Sequence, residues 1–553
     1  MSKKSNFLIP VVGAAFVMAG SVAAYMYFKG AFGDASSPLA SAKVVPNEAL
    51  MATFISTDPK PWSQLQQFGT PEAQKLIEKS LQDFNKQMLA ESNIDYEKDL
   101  KPWVGSVMVA VLPSSPASLA QATPQPAQEP NVLMVVGIKD KLSALNFVNK
   151  LKAEKAVKSK EIDYKGQKIA ETISQGEPTY SAVLNNHLVL APKQKAVEQA
   201  IDTFKGEPSF ASIEGVDSIL AKGVDVKNPI AQIYMPDYAS LVQQLIATSP
   251  NTAMLPPATL AQLQQVKSVV AAVGVDDAGL RMKAIARVDS EAINLQYQPS
   301  PGKMVARFPA ETLTLVTGAG ISRSWLAFVE QTKNSPELQQ GLDGARQQLK
   351  TVNIDLDKDI FSWMDGEFAF AAIPSNQGLL APVGFGGALV FDTSDRATAE
   401  ATFNKLDAIA KSNLISVGQR NVGGKAVTEW QIPLQGALLG HGWLDEDTAF
   451  VALGGPIADA IATPPSQPLD NSEAFKAVTG SLQKPNAGYF YLNMDKTMSL
   501  VTRNFLRSQT TSIPPETSAI LNSIRGIGIT ASSPDKSTSQ VEMLLALKHK
   551  TFE

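Results

Sequence analysis

Not one of the 553 residues is cysteine, which excludes disulfides, thiolate metal sites, thiol nucleophiles and a lipidated N-terminal cysteine together. Histidine is almost as scarce, at three residues. His187 falls within a predicted strand, His549 lies near the C-terminus, and His441 sits in a Gly440-His441-Gly442-Trp443 stretch that reads as an exposed loop. Zinc chemistry and Ser-His-Asp catalysis need clustered imidazoles, which three scattered residues do not supply. Gly-x-Ser-x-Gly and P-loop signatures are also missing. Charged residues make up only 18% of the chain, against about 25% in soluble domains. The net charge is −4 and no stripe of Lys and Arg is visible, which argues against nucleic acid as a partner.

What is present begins with an apolar run. Phe7 to Phe28 carries no charge, and at about 1.5 Å per residue it reaches roughly 33 Å, the thickness of a hydrocarbon core. Lys3 and Lys4 precede it, so the positive-inside rule makes residues 1–6 a cytoplasmic tail, 7–28 a transmembrane helix, and everything beyond it exported. Ala40-Ser41-Ala42 resembles a cleavage site but lies too far past the apolar run, so the expected form is an uncleaved single-pass anchor. Residues 29–45, rich in Gly, Ala and Ser, read as a flexible tether.

The remainder repeats itself. Trp62 answers to Trp325, and Thr70-Pro71-Glu72 to Ser335-Pro336-Glu337. Asp95 to Trp103 answers to Asp355 to Trp363, Asn149-Lys150-Leu151 to Asn404-Lys405-Leu406, and Pro256-Pro257 to Pro514-Pro515. Blocks in one order at nearly one spacing predict two copies of a domain, 46–289 and 303–550, joined by a linker at 290–302. Each copy alternates helices with pairs of adjacent strands: Ser106 to Leu112 with Val132 to Ile138, and Glu367 to Ile373 with Gly387 to Phe391. The expected fold class is α+β, two tandem copies of a mainly antiparallel sheet-plus-helices domain following one N-terminal transmembrane helix. Thr70 as cap with Pro71 in the first turn predicts a helix start, and Lys165-Gly166 and Gly423-Gly424 predict turns between strands. Residues 114–130, rich in Pro, Ala and Gln, predict a disordered loop.

The Lys43 to Phe54 start and the Asp95-x-x-x-Asp99-x-x-x-Trp103-x-Gly105 element resemble a family of membrane-anchored proteins of unknown function common in cyanobacteria. The resemblance covers nearly all of the exported part. It implies a plasma or thylakoid membrane, with the domains in periplasm or lumen, and it carries no activity.

Candidate sites are few. Asp355, Asp357 and Asp359 imitate the first half of a calcium loop, but Ile360 and Gly366 stand where Gly and Glu are needed, so helix-cap and turn carboxylates are the better account. Gly318-Ala319-Gly320 hints at a dinucleotide loop and lacks its third glycine. Neither a catalytic set, a cofactor site nor a metal site is expected. Trp62, Trp103, Trp325 and Trp363 match between copies and read as packing residues. Trp430 and Trp443 have no counterparts, and with His441 they mark the place to look for a contact surface. Three functions remain open: a non-enzymatic interaction, assembly or scaffold factor with a protein partner; a binding protein for an apolar small molecule, lipid or pigment; and a hydrolase using carboxylates alone.

Overall fold

The structure, a computed structural model, describes residues 37–550 apart from 85–95, 114–130, 154–157, 175–176, 217–218, 221–222, 249–262, 264, 290–297, 334 and 504–512. The chain divides into two compact units, Met1–Asp289 and Ser290–Glu553.

Unit 1 contains strands β1 (Met51–Ile55), β2 (Val104–Leu112), β3 (Asn131–Ile138), β4 (Lys158–Tyr164), β5 (Gln167–Ser174), β6 (Glu177–Leu184), β7 (His187–Ala191), β8 (Pro229–Met235), β9 (Val266–Asp276) and β10 (Gly279–Val288). Their order across the sheet is β10-β9-β8-β1-β2-β3-β7-β6-β5-β4, and every ladder is antiparallel. Unit 2 contains β11 (Thr314–Ala319), β12 (Glu367–Pro374), β13 (Phe385–Asp392), β14 (Ser416–Val422), β15 (Lys425–Ile432), β16 (Gly436–Trp443), β17 (Thr448–Leu453), β18 (Tyr489–Asn493), β19 (Ile524–Asp535) and β20 (Thr538–Leu547). Its order is β20-β19-β18-β11-β12-β13-β17-β16-β15-β14, again antiparallel throughout and identical to unit 1 with ten added to each label.

Side-chain alternation explains which face of each sheet is covered. In unit 2, Leu315, Ala369, Ala371, Val390, Phe450 and Ala452 point to one face and form the main core. The helix Gly455–Ala462 lies over it, contributing Ile457, Ala458 and Ile461. Burying three such aliphatic side chains, at about 1.5–3 kcal/mol for the large ones, holds the helix down. Unit 1 repeats the arrangement: Ala52, Phe54, Met108, Ala110, Leu133 and Val135 face the helix Gln194–Phe204, which offers Val197, Ala200 and Ile201. Strand β2 is buried along nearly its whole length, as its unbroken Val-Gly-Ser-Val-Met-Val-Ala-Val-Leu run requires. Strand β12 alternates instead, its Phe370 half exposed. The hairpin turns at Lys165-Gly166 and Gly423-Gly424 take positive φ at both central residues, the primed geometry that matches strand twist.

Two expectations need correction. Among the described residues no helix is long and apolar enough to cross a membrane. The predicted span 7–28 lies outside the described residues, and neither a transmembrane helix in the fold nor the single-pass, extracytoplasmic location that rested on it is supported. The tether is also not what composition suggested over its second half. Pro38–Ala42 forms a short helix capped by Ser37, and Ala42, Val44 and Val45 are buried in the core of unit 1. The Phe210 N–H donates to the Val45 carbonyl at 2.7 Å, pinning the strand of chain that small residues had made look loose. The loop expected at 114–130 and the Pro256-Pro257 helix start also lie outside the described residues.

Candidate functional site

The repeated blocks turn out to be bonded to one another inside each unit. Residues Tyr96–Leu100 and Leu356–Phe361 form single π-helical turns at equivalent places. After each turn a buried tryptophan folds back: Trp103 Nε1 donates to the Asp99 carbonyl at 2.6 Å, and Trp363 Nε1 to the Asp359 carbonyl at 2.7 Å. The same aspartates reach forward to the Asn-Lys-Leu blocks, Asp99 pairing with Lys150 and Asp359 with Lys405 at 2.8 Å. The helices Lys141–Ala153 and Arg396–Ser412 are thereby clipped to the two π-helical turns at matching points.

The three aspartates of the calcium lookalike are each engaged. Asp355 caps the π-helical turn, Oδ1 accepting from the N–H groups of Asp357 and Lys358 at 3.1 Å each. Asp357 is gripped through both oxygens by Arg346, at 2.8 and 2.9 Å, and also accepts from Trp325 Nε1 at 2.7 Å. The Arg346 guanidinium holds its carboxyl below the usual range against the opposing effect of burial, with Trp325 assisting. For Asp359 burial pushes the pKa up, but Lys405 and the Asp355 N–H outweigh it and the net direction is down. Among the described residues no group of three acids or histidines is placed to hold a metal ion. Gly318 lies in β11 where a Cβ would stand 2.9 Å from the Phe368 ring, and Gly320 takes a positive φ ahead of the helix Ile321–Thr332. Close packing therefore accounts for Gly318, and left-handed backbone geometry for Gly320.

Trp430, His441 and Trp443 are brought together, though not as an exposed loop. His441 is on β16 and is only 6% exposed, which corrects its sequence reading. The flanking glycines misled: a Cβ on Gly440 would sit 2.7 Å from Ala458 Cβ, and one on Gly442 2.6 Å from the Ala426 carbonyl oxygen. Glycine is required there because a helix and a neighbouring strand press on that face, while His441 points to the other. There Asp407, on the helix Arg396–Ser412, accepts through Oδ1 from Trp430 Nε1 at 2.7 Å and faces His441 Nε2 at 2.9 Å. The Phe403 ring stacks on the imidazole, 4.6 Å between centroids, and meets Trp443 edge-on at 6.4 Å. Arg396 places its guanidinium 4.1 Å above Trp443. One carboxylate thus holds two rings from two strands, and helix and sheet are latched together. Sequence reasoning had no means of finding Asp407, which is one acid among 53.

Beyond the latch the described residues cover the same sheet face only in part. Val451, Leu389, Phe370, Val316 and Phe490 succeed one another across strands β17, β13, β12, β11 and β18 in direct register. Phe370 is 48% exposed, Val316 39%, and Leu453, two residues along from Val451, 49%. A separate open groove of about 480 Å³ is lined by Met494, Met498 and Leu521 together with Asp495 and Arg503.

Two ten-stranded antiparallel sheets of one strand order, each clipped by an Asp-Lys-Trp set, define a tandem-repeat α+β protein. The chain belongs to a family of proteins of unknown function, DUF3352, whose model matches residues 11–547. That match supplies neither a source organism nor a membrane anchor. No curated protein matches the chain. Among solved structures it is similar to crystal form IV of TP0453, at 8% identity over 45% of this chain and 80% of that one, with a TM-score of 0.26. Crystal form I of TP0453 is similar at 8% identity over 47% and 82%, also with a TM-score of 0.26. Likeness of that degree carries no argument about fold or function.

Proposed function

We propose that the protein is a non-enzymatic interaction or assembly factor that binds another protein through the open face of the unit 2 sheet. The observation that supports this is the cross-strand row that contains Phe370 and Val316. Apolar side chains left half exposed side by side, rather than scattered singly, are characteristic of contact surfaces. Support also comes from the carboxylates considered above, each of which is engaged in a cap, with an arginine or with a lysine. The sequence resemblance to cyanobacterial proteins supports looking for the partner in a cyanobacterium.

The test is crosslinked capture with the full chain from its native source, beside the Phe370→Asp variant. A stoichiometric partner that is lost with Phe370→Asp, while the melting temperature stays unchanged, is the expected result. Recovery of no such partner, or equal recovery with the variant, overturns the proposal. A second reading, an apolar small molecule held in the Met494-Met498-Leu521 groove, draws support from those polarisable side chains. Native mass spectrometry of the purified chain without any bound mass overturns that one.

A further inference from the structure

The two sheets end in homologous edge strands of different character. Among the described residues β4 pairs only with β5, and β14 only with β15. In β14 the sequence Ser-Val-Gly-Gln-Arg-Asn-Val carries one charge, Arg420, which is turned inward to Glu429 at 2.7 Å and to Asp459. Ser416, Gly418, Gln419 and Asn421 are exposed. In β4 the matching stretch contains Lys160, Glu161 and Asp163.

Hydrogen-bond phase follows from the turn. The two-residue hairpin Gly423-Gly424 makes Val422 and Lys425 a hydrogen-bonded pair, and antiparallel pairing alternates from there. Val417, Gln419 and Asn421 therefore direct their N–H and C=O groups away from β15, toward the open edge. Edge strands with unpaired backbone groups and no charged side chain to guard them are templates for another strand. The same phase rule places Glu161 at the equivalent outward position of β4.

We propose that the chain forms a two-fold homodimer in which β14 pairs antiparallel with β14 of a second copy, centred on Gln419. A two-fold axis at an edge demands a self-complementary strand. Centring on Gln419 sets Gln419 against its own mate, Val417 against Asn421 and Gly418 against Arg420, with no like charges opposed and about six backbone hydrogen bonds formed. The same operation at β4 would set Glu161 against Glu161, a like-charge pair that disfavours it. Unit 2 therefore supplies the interface and unit 1 keeps its own edge free. The open apolar face of the proposed function is a different surface, and neither proposal depends on the other.

Sedimentation velocity of the full chain across a concentration series tests this. A reversible monomer–dimer equilibrium is expected, weakened roughly fivefold by Gln419→Lys, because like charges would then face each other across the axis. An equal mixture of Gln419→Lys and Gln419→Glu is expected to restore dimers, which a mere folding defect does not do. A chain that stays monomeric at every concentration, a dimer indifferent to Gln419→Lys, or a mixture without rescue each overturns the proposal.

Discussion

Asp99 and Asp359 perform the same two tasks in separate units: each carbonyl accepts from a tryptophan indole four residues later, and each carboxylate pairs with a lysine on the next long helix. The backbone bond and the ion pair differ in environment. Trp363 is 2% exposed, whereas the Lys405 side chain is 40% exposed and its ion pair is screened by water.

Removing the indole donor is therefore expected to matter more than removing the ammonium. Trp363→Phe is expected to cost about 1–3 kcal/mol, since the Asp359 carbonyl keeps only its Thr402 donor and the smaller ring leaves part of the buried indole's space empty. Lys405→Met is expected to cost less than about 1 kcal/mol. Urea unfolding followed by circular dichroism measures both, and a larger effect from Lys405→Met would contradict this ranking.

The latch at Asp407 makes a spectroscopic prediction. Asp407 Oδ1 already accepts from Trp430, and a carboxylate oxygen facing a ring nitrogen at 2.9 Å calls for a proton on that nitrogen, Nε2 of His441. Nitrogen chemical shifts of the imidazole are expected to report a protonated Nε2 in the wild type. Asp407→Ala is expected to lose it along with about 1–3 kcal/mol of stability, as two ring N–H groups lose their acceptor. A wild-type imidazole whose Nε2 carries no proton would refute the arrangement.

Two aspartates in unit 2 are expected to respond to pH in opposite directions. Burial raises the Asp392 carboxyl, with Asp447 and Asp445 adding to it and the Thr448 hydroxyl opposing. Its folded pKa lies above the unfolded value of about 3.9, so the stability it contributes is present below that value and is lost as pH rises through the folded pKa. Asp392→Asn is thus expected to raise the melting temperature at pH 7 and to make no difference near pH 3. Asp357 is held down by Arg346, so its contribution is present above about 3.9 and is lost as pH falls through the lower folded pKa. Asp357→Asn is expected to lower the melting temperature at pH 7 and to converge with the wild type in acid. Melting curves at both pH values decide it, and equal signs for the two variants at pH 7 would sink the assignment.

What could be read from sequence depended on how local the physical cause was. The hairpin turns at Lys165-Gly166 and Gly423-Gly424 were legible because positive φ at two successive residues is a local demand. The Asp99 and Lys150 blocks were visible as repeats, but their pairing was not, since it forms only when a helix folds back over a sheet. His441 was misplaced for a related reason. Gly440 and Gly442 answer to a helix and a strand contributed by other parts of the chain, and to local inspection such glycines look like loop. Residues 37–45 were misjudged because small residues are equally suited to a loose tether and to a tight seam against Phe210. Asp407 belonged to no block and no motif, and only its two ring partners single it out.

In both sheets the first strand made is also a central one. Ala52 of β1 meets Ala110 on one side but Tyr234 on the other, and in unit 2 Leu315 meets Ala371 and then Tyr491. The middle of each sheet consequently stays open until almost the whole unit has left the ribosome, and long-range closure of this kind is slow. During that interval β1 and β11 present bare apolar edges, so these nascent chains are natural clients for chaperones, and truncations ahead of β8 or β18 should leave insoluble fragments rather than smaller folded ones.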